Sequence, residues 1–296
     1  MNFLKTIGLL SLIFMTKSLY SQTISGKIMD SITKKPLELV NITLLKRDLG
    51  VYTNNDGDFK IKIDDNKDKL QVSSIGYNKK NIDLSNFNEN KEYKLILFLS
   101  PKIEQLNEVK ISNKKVSYSI VKTLGLVRKG KVRTGLPFGY EFCSVIKNPY
   151  HKKGKLHKVI LSLNEMEKPD YLATYNIKFY EYDSENNSPG EEIYFENLIV
   201  QPENKTYKLK INVDSLSIPF PENGICIGVE IVNSKYNEPT KSMAHIAPKI
   251  NFTHTDMDIL TWNRFRNKKW RVDTHKSPFR KDFINGMINI EIKIEK

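Results

Sequence analysis

Ile288, Ile290, Ile292 and Ile294 alternate with Asn289, Glu291 and Lys293 at the end of the chain. A period of two buries one face of a β-strand and wets the other. The same period recurs throughout. Ile24, Gly26 and Ile28 alternate with Ser25 and Lys27, and Phe59, Ile61 and Ile63 follow an Asn-, Asp- and Gly-rich turn at 53–58 that reads as a hairpin. Residues 39–45 are apolar enough for a strand buried on both faces, and 70–77 and 93–99 complete a first group. A second group spans 140–146, 156–163, 172–182, 193–200, 207–213 and 225–232, with Pro189-Gly190 and Asn223-Gly224 as turns. Short strands at even spacing predict an all-β chain of two sandwiches, the second jelly-roll-like.

Lys5 precedes an apolar run at 7–15, and Ser21 is a small residue at a cleavage point. These features predict a secretory leader, removed after residue 21, and hence an exported protein. The run is too short to span a bilayer, which takes roughly 20 apolar residues, and no later stretch approaches that length. No Cys stands at the cleavage point, which argues against a lipid anchor there. The remainder divides into a domain at 22–112, a basic linker at 113–138 and a domain at 139–296. Ile120, Val121, Leu124 and Leu126 would pack between the domains or form a short amphipathic helix, which Gly125, Gly130 and Gly135 weaken.

Charge enters the argument through its distribution. The formal net charge is +13, yet 113–160 holds 12 Lys or Arg against one acidic residue, while 161–240 holds 14 acidic residues against 6 basic. In an exported protein such a basic stretch meets anionic lipid head groups, acidic glycans or the chain's own acidic surface, and nucleic acid is not an expected partner. Cys143 and Cys226 either pair in an oxidising destination or remain two buried thiols; the sequence leaves both open.

Catalytic signatures are absent from the sequence. It has no Gly-x-Ser-x-Gly elbow, no His-Glu-x-x-His and no glycine-rich phosphate loop. His151, His157, His245, His254 and His275 follow no metal-ligand spacing, and His245 and His254 with Asp256 and Asp258 read as a polar loop. The expectation is a non-enzyme without cofactor or metal, although a carboxylate pair from distant strands leaves no sequence trace. For binding, alternation along 172–182 turns Ala173, Tyr175, Ile177 and Phe179 to the core and Thr174, Asn176, Lys178, Tyr180 and Tyr182 outward. Tyr180 and Tyr182 are therefore candidates to stack on sugar faces. Trp262 and Trp270, with Arg264 between them, form a second aromatic and basic candidate whose spacing suggests a hairpin.

Gly26, Pro36-Leu37, Val40, Thr53, residues 56–59, Ile75-Gly76-Tyr77 and the tail Leu106-Asn107-Glu108-Val109 resemble the carboxypeptidase regulatory-like family. That resemblance implies a transthyretin-like sandwich and names a fold, not a peptidase, since no His-x-x-Glu pair is present. The same module precedes the plug and barrel of outer-membrane receptors in Bacteroidetes-type bacteria; the residues after 112 are expected to be too few for both. The second group resembles, in strand order, jelly-roll domains of the carbohydrate-binding-module type, which implies a glycan ligand. The reading is a non-catalytic exported binding or scaffold protein of the cell envelope whose partner is a glycan or another envelope protein. A glycan-active hydrolase and a structural accessory of an outer-membrane protein stand as alternatives.

Overall fold

The computed structural model describes residues 22–296 apart from 48, 64–67, 88–90, 103–115, 120, 127–131, 135, 233–244, 257–259 and 273–282. The leader at 1–21 and the 106–109 tail lie outside the described residues. Strands dominate, with one 3-10 turn at Asp214–Leu216 and no α-helix among the described residues.

The first sandwich comprises β1 (Gln22–Asp30), β2 (Asn41–Leu44), β3 (Leu49–Tyr52), β4 (Asp58–Ile63), β5 (Lys69–Ser73), β6 (Lys80–Asp83) and β7 (Glu92–Leu99). One sheet has the order β4-β1-β7 and the other β3-β2-β5-β6. β7 runs parallel to β1, and the other pairs are antiparallel. The apolar positions of the alternating pattern meet between the sheets, where Ile24, Ile28, Ile42, Phe59, Ile61 and Leu70 form the core.

The 53–58 turn corrects one expectation. β3 and β4 belong to opposite sheets, so this turn is a corner between layers and not a hairpin within one. Its local chemistry is nonetheless that of a tight turn: Gly57 has φ +74°, and Asn54 Oδ1 accepts the amides of Asp56 and Asp58 at 3.1 and 2.8 Å. Such chemistry fixes the reversal, while the layer that receives the next strand is set by distant packing.

The second sandwich alternates strands between two sheets, as a jelly roll does. The near sheet has the order Ser188–Glu192, Thr174–Asp183, Gly224–Val232, Tyr140–Lys147, Thr261–Phe265, Arg271–Val272. The far sheet has the order Phe283–Gly286, Lys249–Thr255, Gly154–Asn164, Ile288–Ile294, Lys122–Gly125. Ile288, Ile290, Ile292 and Ile294 do face the core, against Ile177, Phe179 and Ile227 of the near sheet. Pro189 and Gly190, expected in a turn, lie instead in the Ser188–Glu192 strand at the sheet's edge, where a proline costs no ladder hydrogen bond.

The expected linker at 113–138 is also corrected where it is described. Lys122–Gly125 pairs with Ile288–Ile294, and Val132–Thr134 pairs with Lys249–Thr255, so these residues are strands of the far sheet and not a helix. Leu124 and Val132 pack on the core, and the open side of Ile288–Ile294 supplies backbone partners that a sequence pattern does not reveal.

The outer face of the β3-β2-β5-β6 sheet packs on the outer face of the near sheet, giving four stacked layers. Asn41, Thr43, Tyr52 and Ser73 point out of the first sandwich, yet all four are buried. The strand within 39–45 is thus buried on both faces as expected, its outer side through the polar Asn41 and Thr43.

The far-sheet core predicts a mutational contrast. Ile290→Ala empties fully buried space and should cost about 2–5 kcal/mol in denaturant unfolding. Lys208→Ala, on the exposed Lys208–Asn212 strand, should stay within about 0.5 kcal/mol.

Candidate functional site

The strand Thr174–Asp183 keeps the predicted alternation, with Ala173, Tyr175, Ile177 and Phe179 in the core. Its opposite face is not open to solvent: Tyr180 is 1% and Tyr182 6% exposed. The expected sugar-stacking face is instead covered, because the first sandwich and the side chains of Trp262 and Trp270 pack on it. The hairpin predicted from their spacing forms, Thr261–Phe265 pairing with Arg271–Val272.

At the centre of the covered face is a network of buried charges. Glu141 and Glu230 stand directly opposite each other on adjacent strands, with exposures of 1% and 2%. Lys178 lies between them, its Nζ 2.9 Å from Glu230 Oε2 and 3.6 Å from Glu141 Oε2. Arg264 Nε donates to Glu141 Oε2 at 2.8 Å and its Nη2 to Tyr180 Oη at 2.6 Å. Tyr180 Oη also donates to Glu141 Oε1 at 2.6 Å, and the Arg264 guanidinium stacks 4.1 Å over the Trp270 ring. Gly228 leaves the necessary room: a Cβ there would collide with the Glu141 carboxylate and come 2.8 Å from the Tyr180 ring.

The first sandwich completes the network. Tyr52 Oη donates to Glu230 Oε1 at 2.8 Å and Asn41 Nδ2 donates to the same oxygen at 3.3 Å. The Arg266 guanidinium lies 4.3 Å over the Tyr52 ring, and Asn267 Nδ2 donates to Ser73 Oγ at 3.2 Å. Gly50 lets the layers close, since a Cβ there would stand 2.7 Å from Arg266 Cδ. Around the edge, Lys268 Nζ reaches Arg47 O at 3.0 Å and Lys102 pairs with Glu192 at 3.7 Å.

Each charge is held by its neighbours. Burial opposes the charged form of Lys178, but Glu141 and Glu230 outweigh it and raise its pKa. Burial also opposes the charged Arg264, and Glu141 more than compensates. For Glu230 burial alone would raise the pKa; the Lys178 charge and the Tyr52 and Asn41 hydrogen bonds bring it below the usual value. Burial pushes Tyr180 well up. Every carboxylate oxygen of the Glu141–Glu230 pair has a protein partner, so the pair is compensated where it is buried and ties the layers together.

The other predicted residues are dispersed. Cys143 and Cys226 are free, buried thiols. They are diagonal neighbours on the covered face, opposite Gly228 and Val145 respectively, and burial together with the Cys226 thiol pushes Cys143 up. His245 stands beside Asp170 while His254 pairs with Ile284 on another strand; Asp258 and His275 lie outside the described residues. Sequence reasoning missed Glu141, Lys178 and Glu230, whose alternation reads as solvent-facing. Their signal was indirect: charges embedded in otherwise apolar strands.

An open concavity lies elsewhere, in the first sandwich. A groove of about 700 Å³ runs between β3 and β4. Leu49, Val51, Phe59 and Ile61 form its apolar walls, and Asn54 and Lys62 add polar groups. β3 and β4 end their respective sheets, so among the described residues each has one backbone edge without a strand partner.

Residues 24–111 match the CarboxypepD_reg-like domain family. No curated protein matches the chain in sequence. Among solved structures, the clostridial cysteine protease Cwp84 after propeptide cleavage is 15% identical with a TM-score of 0.38, covering 59% of this chain and 40% of its own. The chain thus spans well under half of that protein. A DUF3823 family protein of Parabacteroides merdae is 11% identical over 72% of this chain and 98% of its own, TM-score 0.20. A proposed carbohydrate-binding protein of Bacteroides uniformis is 7% identical over 78% and 95%, TM-score 0.22. None of these likenesses transfers an activity.

Lys178→Met should cost about 3–5 kcal/mol in denaturant unfolding, because it leaves two buried carboxylates without their shared cation. Acid should act on the same joint. Glu230 has a folded pKa below its ordinary 4.5, so its contribution is complete above that value and is lost as pH falls through the lower folded value. Unfolding followed from pH 7 to pH 3 should show Glu230→Gln losing less stability across the acid range than the parent chain.

Proposed function

We propose that the chain is a non-catalytic exported binding or scaffold protein of the bacterial cell envelope, its two sandwiches fixed as one body. The observation that carries this reading is the joint: the aromatic and charged face of the second sandwich grips the first. Opening a joint made of buried ion pairs costs several kcal/mol, so a hinge closing around a substrate is disfavoured. The apolar run at 7–15 and the regulatory-like match at 24–111 support export and an envelope setting.

Ligand recognition is assigned to the β3–β4 groove. Its size suits a small ligand or short chain segment, and the outer edges of β3 and β4, which pair with no strand among the described residues, suit an extended one whose apolar side chains enter the groove. Carbohydrate, the class implied by the second domain's resemblance, is the competing ligand. It would have to use a surface other than Tyr180 and Tyr182.

The full mature chain, screened on a glycan array and on an array of extended ten-residue peptides, distinguishes these classes. Peptide binding without turnover is expected, weakened at least tenfold by Leu49→Asp at unchanged melting temperature. Glycan binding indifferent to Leu49→Asp would move the site to the second sandwich. Cleavage of any arrayed compound would overturn the non-catalytic reading.

A further inference from the structure

β7 is the longest edge strand of the first sandwich. In the order β4-β1-β7 its outer side has no strand partner among the described residues. Proteins normally protect such an edge with charge, proline or a bulge. The opposite edge, β4, carries Asp58, Lys60 and Lys62, and β6 carries Lys80 and Asp83. From Lys94 to Leu99, β7 carries one charge, and it is apolar toward both faces. Tyr93, Leu95 and Leu97 pack half-buried on the core. On the other face Ile96 is 66% and Phe98 39% exposed. The joint buries the other sheet of this sandwich, while Ile96 and Phe98 of β7 stay exposed.

We infer that two copies of this chain associate by antiparallel pairing of β7 with β7, joining the two three-stranded sheets into one of six strands. The strand is complementary to itself. Centring a two-fold axis on Ile96 sets Ile96 opposite Ile96 and Leu95 opposite Leu97, apolar against apolar on both faces. Lys94 then faces Phe98, a cation against a ring, and Glu92 faces Ser100, so no like charges stand directly opposite across the two strands. Lys34 already stands 4.7 Å over the Phe98 ring within one copy, which shows that this ring accepts an ammonium group. A two-fold contact uses the same patch on both copies and closes at the dimer. Pairing over one strand is small against the roughly 1,200–2,000 Å² of a standard interface, so the dimer is reversible.

Sedimentation equilibrium of the mature two-domain chain from about 1 to about 100 µM tests this, a range that covers weak association. The mass should rise from one chain toward two. Ile96→Lys, which sets two ammonium groups face to face, should remain a single chain throughout with unchanged circular dichroism and melting temperature. Ile96→Glu should do the same, and mixing the two variants should restore the dimer. Ile96→Thr keeps strand propensity and should weaken association at least tenfold, which covers the case in which a charged variant folds poorly. A single-chain mass for the parent at every concentration would overturn the inference. A dimer that survives Ile96→Lys, or a mixture that fails to associate, would overturn it equally.

Discussion

The salt bridge between Lys178 and Glu230, at 2.9 Å, sits where four β-layers become one molecule. Through Glu230 it reaches Tyr52 and Asn41 of the first sandwich, and through Lys178 it reaches Glu141, Arg264 and Tyr180 of the second. Buried charges are costly unless paired and hydrogen-bonded. This network meets that condition with atoms from both domains, so neither face is satisfied alone. A separated second sandwich would expose Glu230 without two of its donors and the Arg266 guanidinium without the Tyr52 ring beneath it.

This arrangement changes the meaning of the aromatic residues. Tyrosine and tryptophan near basic groups are what a glycan platform requires, and also what a buried cation needs: a ring face and a hydroxyl. Here Arg264 lies between Glu141, Tyr180 and Trp270. The same residue types therefore serve cohesion, and the first sandwich keeps open surface along both edges of its β4-β1-β7 sheet. One edge is charged and flanks the β3–β4 groove, and the other, β7, is apolar.

Much of the fold was legible because alternation is a local property. Ile288 to Ile294, Ala173 to Phe179 and the first-domain strands were readable wherever one face meets a core. What the sequence concealed was the partner of the opposite face. Period two assigns Glu141, Lys178 and Glu230 to the outer side of a sheet and is silent on whether water or another domain lies there. The 53–58 turn shows the same limit, since Gly57 and Asn54 define a reversal but not the sheet that receives β4. Lys122–Gly125 and Val132–Thr134 read as linker because strands of three or four residues depend on the ladder they join. The clearest hint was residues 39–45: a strand buried on both faces at a domain's surface requires a cover, and here it lies over the polar Asn41 and Thr43.

Calorimetric unfolding of the mature chain tests the central claim most directly, that the sandwiches form one body through the buried network. A single transition, with equal calorimetric and van't Hoff enthalpies, is the result this coupling predicts. Two separate transitions in the unmodified chain at neutral pH, each matching one domain, would contradict it.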